Sequence, residues 1–323
     1  MTVAVVGAGA IGGLLGAHLS RSGQDVILVA RGPHLAAMRE RGLTVRGADG
    51  GFTARPRCTD DMAAVAEAEV VFLTLKAHSI PAVAPAIGAA LADDACVVGA
   101  MNGIPWWYFG DRHLETVDPG GVVARSIPYD KVVGCVVYPA ATLVEPGVIE
   151  HEEGNRISLG EPDGSKSERV QAISAMLVAA GFKAPVQTRL RNEIWLKLLG
   201  NATLNPVSAL TRATLAQMFA SPLARDVIRT LMEEVASVAG ALDVALPVSI
   251  SRRMEGAAAV GEHKTSMLQD LEAGKPLEVD ALLGAVVELA DEKGIAVPSL
   301  RAVYGLTKLL DASARGGPQG VAR

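Results

Sequence analysis

Residues 2–12 read TVAVVGAGAIG. The first five form a short, valine-rich apolar run with turn glycines behind it, which predicts a buried strand. Gly7-Ala8-Gly9-Ala10-Ile11-Gly12 then spells GxGxxG, and Leu14, Leu15 and Leu19 continue at helical spacing toward Gly23. A further apolar run, DVILVAR, ends at Arg31. A bare GxGxxG is common by chance. This one follows a strand, opens a helix and is completed by a second strand, as a dinucleotide-binding unit requires. Gly7 permits the tight turn, Gly9 lets the backbone approach a pyrophosphate, and Gly12 lets helix and strand pack closely. The helix N-terminus offers that anion unpaired N–H groups and the positive end of its dipole.

Working outward, the end of the second strand bears on the cofactor. NAD-type sites usually carry Asp or Glu there to accept from the ribose hydroxyls. Here Val29-Ala30-Arg31-Gly32 has no acid. An arginine can pair with a 2′-phosphate through two parallel hydrogen bonds, which favours NADP(H) over NAD. Two more strands are expected in EVVFLTLKAH and CVVGAMNG, near-continuous in apolar residues as strands covered on both faces should be. Ligands gather beyond the carboxyl ends of such strands, so Lys76 and Asn102 lie where pyrophosphate and nicotinamide should pass. Strand-like stretches also occur at LTVRG and GFTARP, and from Lys131 to Gly160. The cluster Pro105-Trp106-Trp107-Tyr108-Phe109 could wall a pocket, cover a subunit contact or anchor its loop.

The bulk numbers exclude several classes. With 323 residues, half of them hydrophobic, the chain can bury a core in each of two domains. Thirty basic against 35 acidic residues leave a formal charge of −5, without the basic footprint that nucleic acid demands. Cys58, Cys96 and Cys135 stand far apart, and the histidines form no ligand spacing, so reduced thiols and no metal are expected. The opening residues have no charged n-region and no cleavage-site pattern, which predicts a cytoplasmic protein with neither signal peptide nor membrane span.

From about Leu190 the strand-like runs stop, and helical periodicity covers 189–204, 211–219, 222–241, 248–273, 279–294 and 298–312. The expected fold is an α/β Rossmann-type N-terminal domain followed by an all-α C-terminal domain. The boundaries read 1–188 for the NADP-binding half, 189–312 for the helical substrate half, and 313–323 for a loose tail. The helical half could supply a homodimer surface, or its apolar faces could pack on one another.

Within NEIWLKLLGNATLNP (192–206), one continuous helix with Lys197 at zero would put Asn201 and Asn205 at about 40° and 80°. Leu190, Ile194 and Leu198 would fall at about 20°, 60° and 100°, so the asparagines sit inside the apolar arc. A buried polar group without a partner costs about 1–3 kcal/mol, so the protein or a ligand must satisfy them. Farther on, Ser266 opens an apolar-periodic run that ends by Gly274. Glu278 begins the next helix, where an acid also suits the helix dipole.

GAGAIG, VILVAR, LTLKAH, MNG, NEIWLKLLGNATLNP and TSMLQDLEAGKPLEVD, in this order and across nearly the whole chain, resemble the ketopantoate reductase (2-dehydropantoate 2-reductase) family. The resemblance implies an NADP-binding Rossmann domain, a helical second domain and an active site in the cleft between them. It implies NADPH-dependent reduction of a small-molecule 2-oxo acid, 2-dehydropantoate, to (R)-pantoate. By the same resemblance Lys197 matches the catalytic lysine, and Asn201 and Asn205 match substrate-binding asparagines. Ser266 matches the serine that binds the substrate carboxylate, and Glu278 a glutamate near the reacting centre and the cofactor. Arg31, Lys76 and Asn102 match cofactor-side positions beside Gly7, Ala8, Gly9, Ala10, Ile11 and Gly12. Asn102 also faces the substrate, and Ala141 matches a backbone contact to the cofactor.

The chain departs from the family pattern in two places. TRATLAQMF lacks a further substrate asparagine, and Pro105-Trp106-Trp107 is bulkier than the stretch usually found there. Reduction of another branched or aryl 2-oxo acid is therefore the second reading. A third is a non-catalytic NADP(H) sensor, which gives Lys197, Asn201 and Asn205 no reason to lie together.

Overall fold

β1 (Thr2–Val6) leads through the glycine turn into α1 (Ala10–Arg21), and β2 (Asp25–Val29) returns parallel to β1, with Val6 opposite Val29. The computed structural model describes residues 1–48, 50–110 and 112–316, and its contacts divide the chain into two compact units at Leu190/Arg191. In the first unit there follow α2 (Gly32–Arg41), β3 (Leu43–Gly47), β4 (Phe52–Ala54), β5 (Arg57–Thr59), β6 (Val70–Leu73), α3 (Ile80–Ala90), β7 (Cys96–Gly99) and α4 (Val122–Ser126). Then come β8 (Val132–Val137), β9 (Ala140–Glu145), β10 (Val148–Glu153), β11 (Ile157–Gly160) and α5 (Glu168–Ala179).

The main sheet has the order β11-β8-β7-β6-β1-β2-β5, parallel throughout except for the edge strand β11. This is the doubly wound order, and its switch point lies between β1 and β6. β1, β6, β7 and β8 are almost wholly buried, which is why their sequences run apolar without alternation.

The remaining strands do not extend that sheet. β4-β3-β10-β9 make a separate four-stranded one, with β3 parallel to β10 and the outer pairs antiparallel. Helix α1 is packed between the two sheets, and its glycines make that possible. A Cβ on Gly13 would fall 2.3 Å from Ile149 Cδ1 of β10, and one on Gly16 would fall 2.3 Å from Leu28 Cδ2 of β2. Each glycine weakens a helix by about 0.5–1 kcal/mol relative to alanine, a loss offset here by packing on both faces.

Two details differ from the sequence reading of this half. The second strand stops at Val29, and Arg31 is instead the extended residue that precedes α2. The aromatic cluster is an anchor: Trp106, Trp107 and Tyr108 are buried, and the two indoles lie against Gly99 of β7 and Gly134 of β8. At the far edge, Arg169 of α5 pairs with buried Glu161 at 2.6 Å and donates to the carbonyls of Asp130 and Val132, tying α5 to β8 and β11.

The second unit is helical: α6 (Leu190–Asn201), α7 (Leu204–Thr211), α8 (Leu215–Ala220), α9 (Pro222–Gly240), α10 (Ile250–Ala258), α11 (Ser266–Glu272), α12 (Ala285–Lys293) and α13 (Pro298–Ala314). A π-turn at Asp280–Gly284 leads into α12. The expected helix over 189–204 breaks after Asn201. Proline at 206 would collide with the carbonyl of residue 202 in a continuous helix, yet is tolerated in the first turn of a new one. Thr203 Oγ1 donates to the Leu199 carbonyl at 2.7 Å and closes the old helix. Asn205 therefore belongs to α7, and the helical wheel that placed it with Lys197 does not extend to it. The expected 248–273 helix likewise splits, with Gly261 at φ +84° between α10 and α11. At the C-terminus α13 reaches Ala314, so the tail expected from 313 begins later, and from 317 on it lies outside the described residues. Among the described residues no helix is long and apolar enough to cross a membrane, and no group of His, Cys, Asp and Glu could hold a metal ion.

Candidate active site

In the first unit the glycine turn is held from two sides. The N–H groups of Gly7 and Ala8 both donate to the Val29 carbonyl, at 3.1 and 3.2 Å, fixing the turn to the end of β2. Thr74, just beyond β6, donates its hydroxyl to the Gly7 carbonyl at 2.8 Å. Gly7 has φ +98°, a conformation open to glycine and strained for other residues. A Cβ at position 12 would lie 2.3 Å from Thr74 Oγ1 and 2.4 Å from the Gly7 carbonyl oxygen, so only glycine permits this approach.

Gly9 is different. A Cβ there would meet nothing nearer than the Gly7 oxygen at 4.0 Å, so the space above it is open. As the cap of α1 it has no side chain to occupy the first-turn N–H groups, which are left for an anion. An uncapped helix start beneath an open cradle fits the pyrophosphate of a dinucleotide.

β1, β6 and β7 are adjacent and parallel, so the turns after them share one edge of the sheet. That edge brings Lys76 and Asn102 to the end of the sheet that carries Gly7–Gly12. Lys76 opens a short 3₁₀ turn (Ala77–Ser79) three residues past β6. Asn102 stands three residues past β7, before Gly103 at φ +81°. Arg31 is exposed at the start of α2. Ala141 sits in β9 opposite His151, with its side chain on the core around α1.

Sequence reasoning passed over two residues here. Thr74 was visible as the one polar residue closing VVFLTL, and it fastens the turn. His34, on the first turn of α2, accepts the Gly147 N–H at Nδ1 (2.9 Å) and so links α2 to the β9–β10 turn. Burial lowers its pKa, against the opposing pull of the Ala8 backbone.

In the second unit Lys197 and Asn201 are one turn apart on α6 and both half-buried. Asn205, buried on α7, donates from Nδ2 to Ser266 Oγ at 3.4 Å. Ser266 is the first residue of α11, whose start is capped by Thr265. Asn205 and Ser266 are thus brought together from 61 residues apart, although Asn205 and Lys197 ride on different helices. Glu278 is buried just ahead of the π-turn, a feature frequent at functional sites.

The segment around Glu278 is fastened on both sides by α13. Asp311 accepts the Leu277 N–H at 3.0 Å, and Asp280 accepts from Tyr304 (2.7 Å) and Lys308 (2.8 Å). The Asp280 carboxylate and burial hold the Tyr304 phenol well above its usual pKa, burial being the larger cause. With 24 to 34 residues between partners, no local pattern in the sequence marks these supports.

Family models match both units: residues 3–164 match the ketopantoate reductase PanE/ApbA model and residues 189–311 the model for its C-terminal part. The chain belongs to the ketopantoate reductase family. It is 44% identical over 320 residues to a 2-dehydropantoate 2-reductase of Mesorhizobium japonicum, covering 96% of this chain and 98% of that one. Among solved structures, a Ralstonia solanacearum MolK2 protein assigned to the ketopantoate reductases is 38% identical with a TM-score of 0.92, covering 97% and 98% of the two chains. A PanE/ApbA family ketopantoate reductase from Ralstonia eutropha JMP134 is 28% identical with a TM-score of 0.87, covering 98% of this chain and 100% of that one.

Proposed function

We propose that this protein is an NADPH-dependent 2-dehydropantoate 2-reductase that forms (R)-pantoate. The observation that carries the reading is the second unit's polar set: Lys197 and Asn201 on one turn of α6, and buried Asn205 reaching Ser266 at 3.4 Å. A sensor that only bound NADP(H) would have no use for it. The dinucleotide turn, with Gly7–Gly12, Thr74, Lys76 and Asn102 at one sheet edge, supports the cofactor half of the reading. Arg31, with no acid in its place, supports NADPH over NADH.

NADPH supplies the hydride. As the ketone carbon accepts it, charge grows on the ketone oxygen, and a positioned acid must neutralise that charge. Lys197 is assigned this role: its ammonium stabilises the developing oxyanion and passes it a proton, leaving a hydroxyl. Glu278, a buried carboxylate, orients the amine. Asn201 and Asn205 hydrogen-bond the oxygens of the substrate, and Ser266 donates to its carboxylate. The inward-facing asparagines are satisfied by the substrate. Gly7, Ala8, Gly9, Ala10, Ile11 and Gly12 present backbone to the pyrophosphate, and Ala141 a backbone contact. The domain roles follow as NADP-binding for 1–188 and substrate binding for 189–312.

A second substrate, another branched or aryl 2-oxo acid, is favoured by the absence of asparagine from 211–219. Steady-state NADPH oxidation with 2-dehydropantoate beside a panel of 2-oxo acids, repeated with NADH, tests both. The reading requires a kcat/KM for 2-dehydropantoate at least about tenfold above the panel, a margin of about 1.4 kcal/mol in transition-state binding. Replacing Lys197 with Ala should lower kcat by about 10²–10⁴-fold while NADPH still binds. Unchanged turnover would remove Lys197 from its role.

A further inference from the structure

His34 stands on the first turn of α2, three residues after Arg31. Its Nδ1 accepts the Gly147 N–H at 2.9 Å, so that nitrogen carries a lone pair and no proton. Burial holds the ring's pKa below its usual value, which leaves the imidazole neutral at neutral pH. The single ring proton then sits on Nε2. That nitrogen is buried and has no hydrogen-bond partner among the described residues. The Ala8 backbone pulls against burial and favours a proton on the ring. With Nδ1 taken by Gly147, the group it acts on is Nε2–H. The Nε2–H therefore faces the Ala8 carbonyl without completing a hydrogen bond to it.

A covered donor left unpaired is destabilising, and fastening α2 does not require one. α2 is seated on the β9–β10 turn without Nε2: besides the Nδ1 bond, Arg41 Nη2 donates to the Pro146 carbonyl at 3.3 Å. The carbonyl that Nε2–H faces belongs to the Ala8–Gly9 peptide, whose other side is the Gly9 N–H. That N–H is turned back onto the Gly7 carbonyl at 2.6 Å, closing a three-residue turn. The C=O and N–H of one planar peptide move together, so a rotation that brings the Ala8 oxygen to Nε2 releases the Gly9 N–H. The Gly7 carbonyl keeps a donor throughout, because Thr74 bonds it at 2.8 Å.

We propose that His34 is a positioning residue for the dinucleotide: as the pyrophosphate seats, Nε2–H closes on the Ala8 carbonyl, and the Ala8–Gly9 peptide turns its N–H onto a phosphate oxygen. One hydrogen bond is given up and two are formed, one of them charge-assisted. The inference rests on the NADP(H)-binding reading and deepens it, since a side chain of α2 sets how readily the glycine turn takes its bound form. The competing role is a purely structural tie between α2 and the β9–β10 turn.

Two near-isosteres part these roles. In His34→Asn the amide oxygen takes over from Nδ1 at the Gly147 N–H, and nothing replaces the Nε2 donor. In His34→Gln the amide nitrogen replaces the Nε2 donor, and Gly147 loses its acceptor. NADPH affinity by calorimetric titration should fall roughly 5- to 30-fold in His34→Asn and stay within about threefold in His34→Gln. Thermal unfolding of the apoproteins should show the reverse order, with His34→Gln lower by about 2–4 °C. In the wild type, nitrogen NMR of the imidazoles should show His34 protonated on Nε2, with that proton exchanging more slowly once NADP⁺ is bound.

Wild-type affinity in His34→Asn overturns the proposal, and so does an equal loss in both variants, the mark of a structural tie. A wild-type Nε2 proton whose exchange NADP⁺ does not slow overturns it as well, and this spectrum decides alone should neither variant fold. If the wild type binds no NADPH, the cofactor reading fails and the positioning role falls with it. Binding by the wild type that is insensitive to His34 sinks the positioning role alone.

Discussion

Two alanine substitutions three residues apart should separate cofactor binding from stability. At Gly9 the φ of −76° suits alanine, and the added Cβ stays 4.0 Å from the Gly7 oxygen. The folded protein should therefore accept Gly9→Ala. Alanine is a poorer helix cap than glycine, by up to about 1 kcal/mol, and a loss of that size lowers Tm by about 2–4 °C for a unit near 190 residues. The methyl nonetheless stands in the cradle that the pyrophosphate is proposed to fill. Losing one or two charge-assisted hydrogen bonds at about 1.5–3 kcal/mol each raises the NADPH Kd by at least about tenfold.

Gly12→Ala behaves otherwise. Its Cβ would sit 2.3 Å from Thr74 Oγ1 and 2.4 Å from a backbone oxygen, about 1 Å inside van der Waals contact. Overpacking of that kind costs about 1–3 kcal/mol, against about 1 kcal/mol returned by alanine's helix propensity, and the turn itself must shift. Gly12→Ala should lose stability and NADPH affinity together. NADPH titration by calorimetry and scanning calorimetry of each apoprotein measure both quantities. A Gly9→Ala protein with wild-type Kd, or one that loses as much Tm as Gly12→Ala, would refute the reasoning.

If Arg31 pairs with the 2′-phosphate as proposed, replacing it with Ala should reduce the preference for NADPH over NADH by at least about tenfold, read as the ratio of kcat/KM for the two cofactors. In α3, a Cβ on Gly88 would fall 2.0 Å from the Ser126 carbonyl of α4, so Gly88→Ala should destabilise the first unit by about 2 kcal/mol in urea unfolding, with NADPH affinity in the surviving fold unchanged. His18 of α1 lies 3.2 Å from the Ala180 carbonyl between the rings of Phe52 and Phe182, and its pKa is held below 6.5 chiefly by burial, against the pull of that carbonyl, with His151 and Arg21 lowering it further. The unfolded chain therefore binds more protons between that depressed value and 6.5, so stability rises with pH through the window and is lost as pH falls through it. Urea unfolding from about pH 7.5 to about pH 5 should show this loss, and His18→Gln should flatten it.

The Rossmann unit was legible because its signals are local. TVAVVGAGAIG carries strand, turn and helix start within eleven residues, and the buried parallel strands show as unbroken apolar runs. The second sheet was not legible as such. β3 and β10 pair across about a hundred residues, and nothing in LTVRG names Val148–Glu153 as its partner. The helix break at Ala202–Thr203 was readable from Pro206, had the proline's conflict with the carbonyl four residues earlier been weighed above the apolar periodicity. For the proposed site the sequence offered candidate residues but not their supports: Asp311, Asp280 and Tyr304 hold the Glu278 segment through tertiary contacts alone.

The turn at Ala202–Thr203 has a consequence for how such a protein can change its diet. Were Lys197, Asn201 and Asn205 on one straight helix, any rotation that enlarged the space beside Asn205 would also swing the lysine away from the ketone oxygen it is proposed to protonate. With the chain broken between them, the orientation of Asn205 is governed by how α7 seats against α11, while Lys197 stays with α6. Under the proposed roles, drift in the residues between α7 and α11 would refit the protein to a longer or bulkier acyl tail without displacing the lysine assigned as proton donor. The break lets Asn205 and Ser266 be refitted together while Lys197 and Asn201 keep their places on α6.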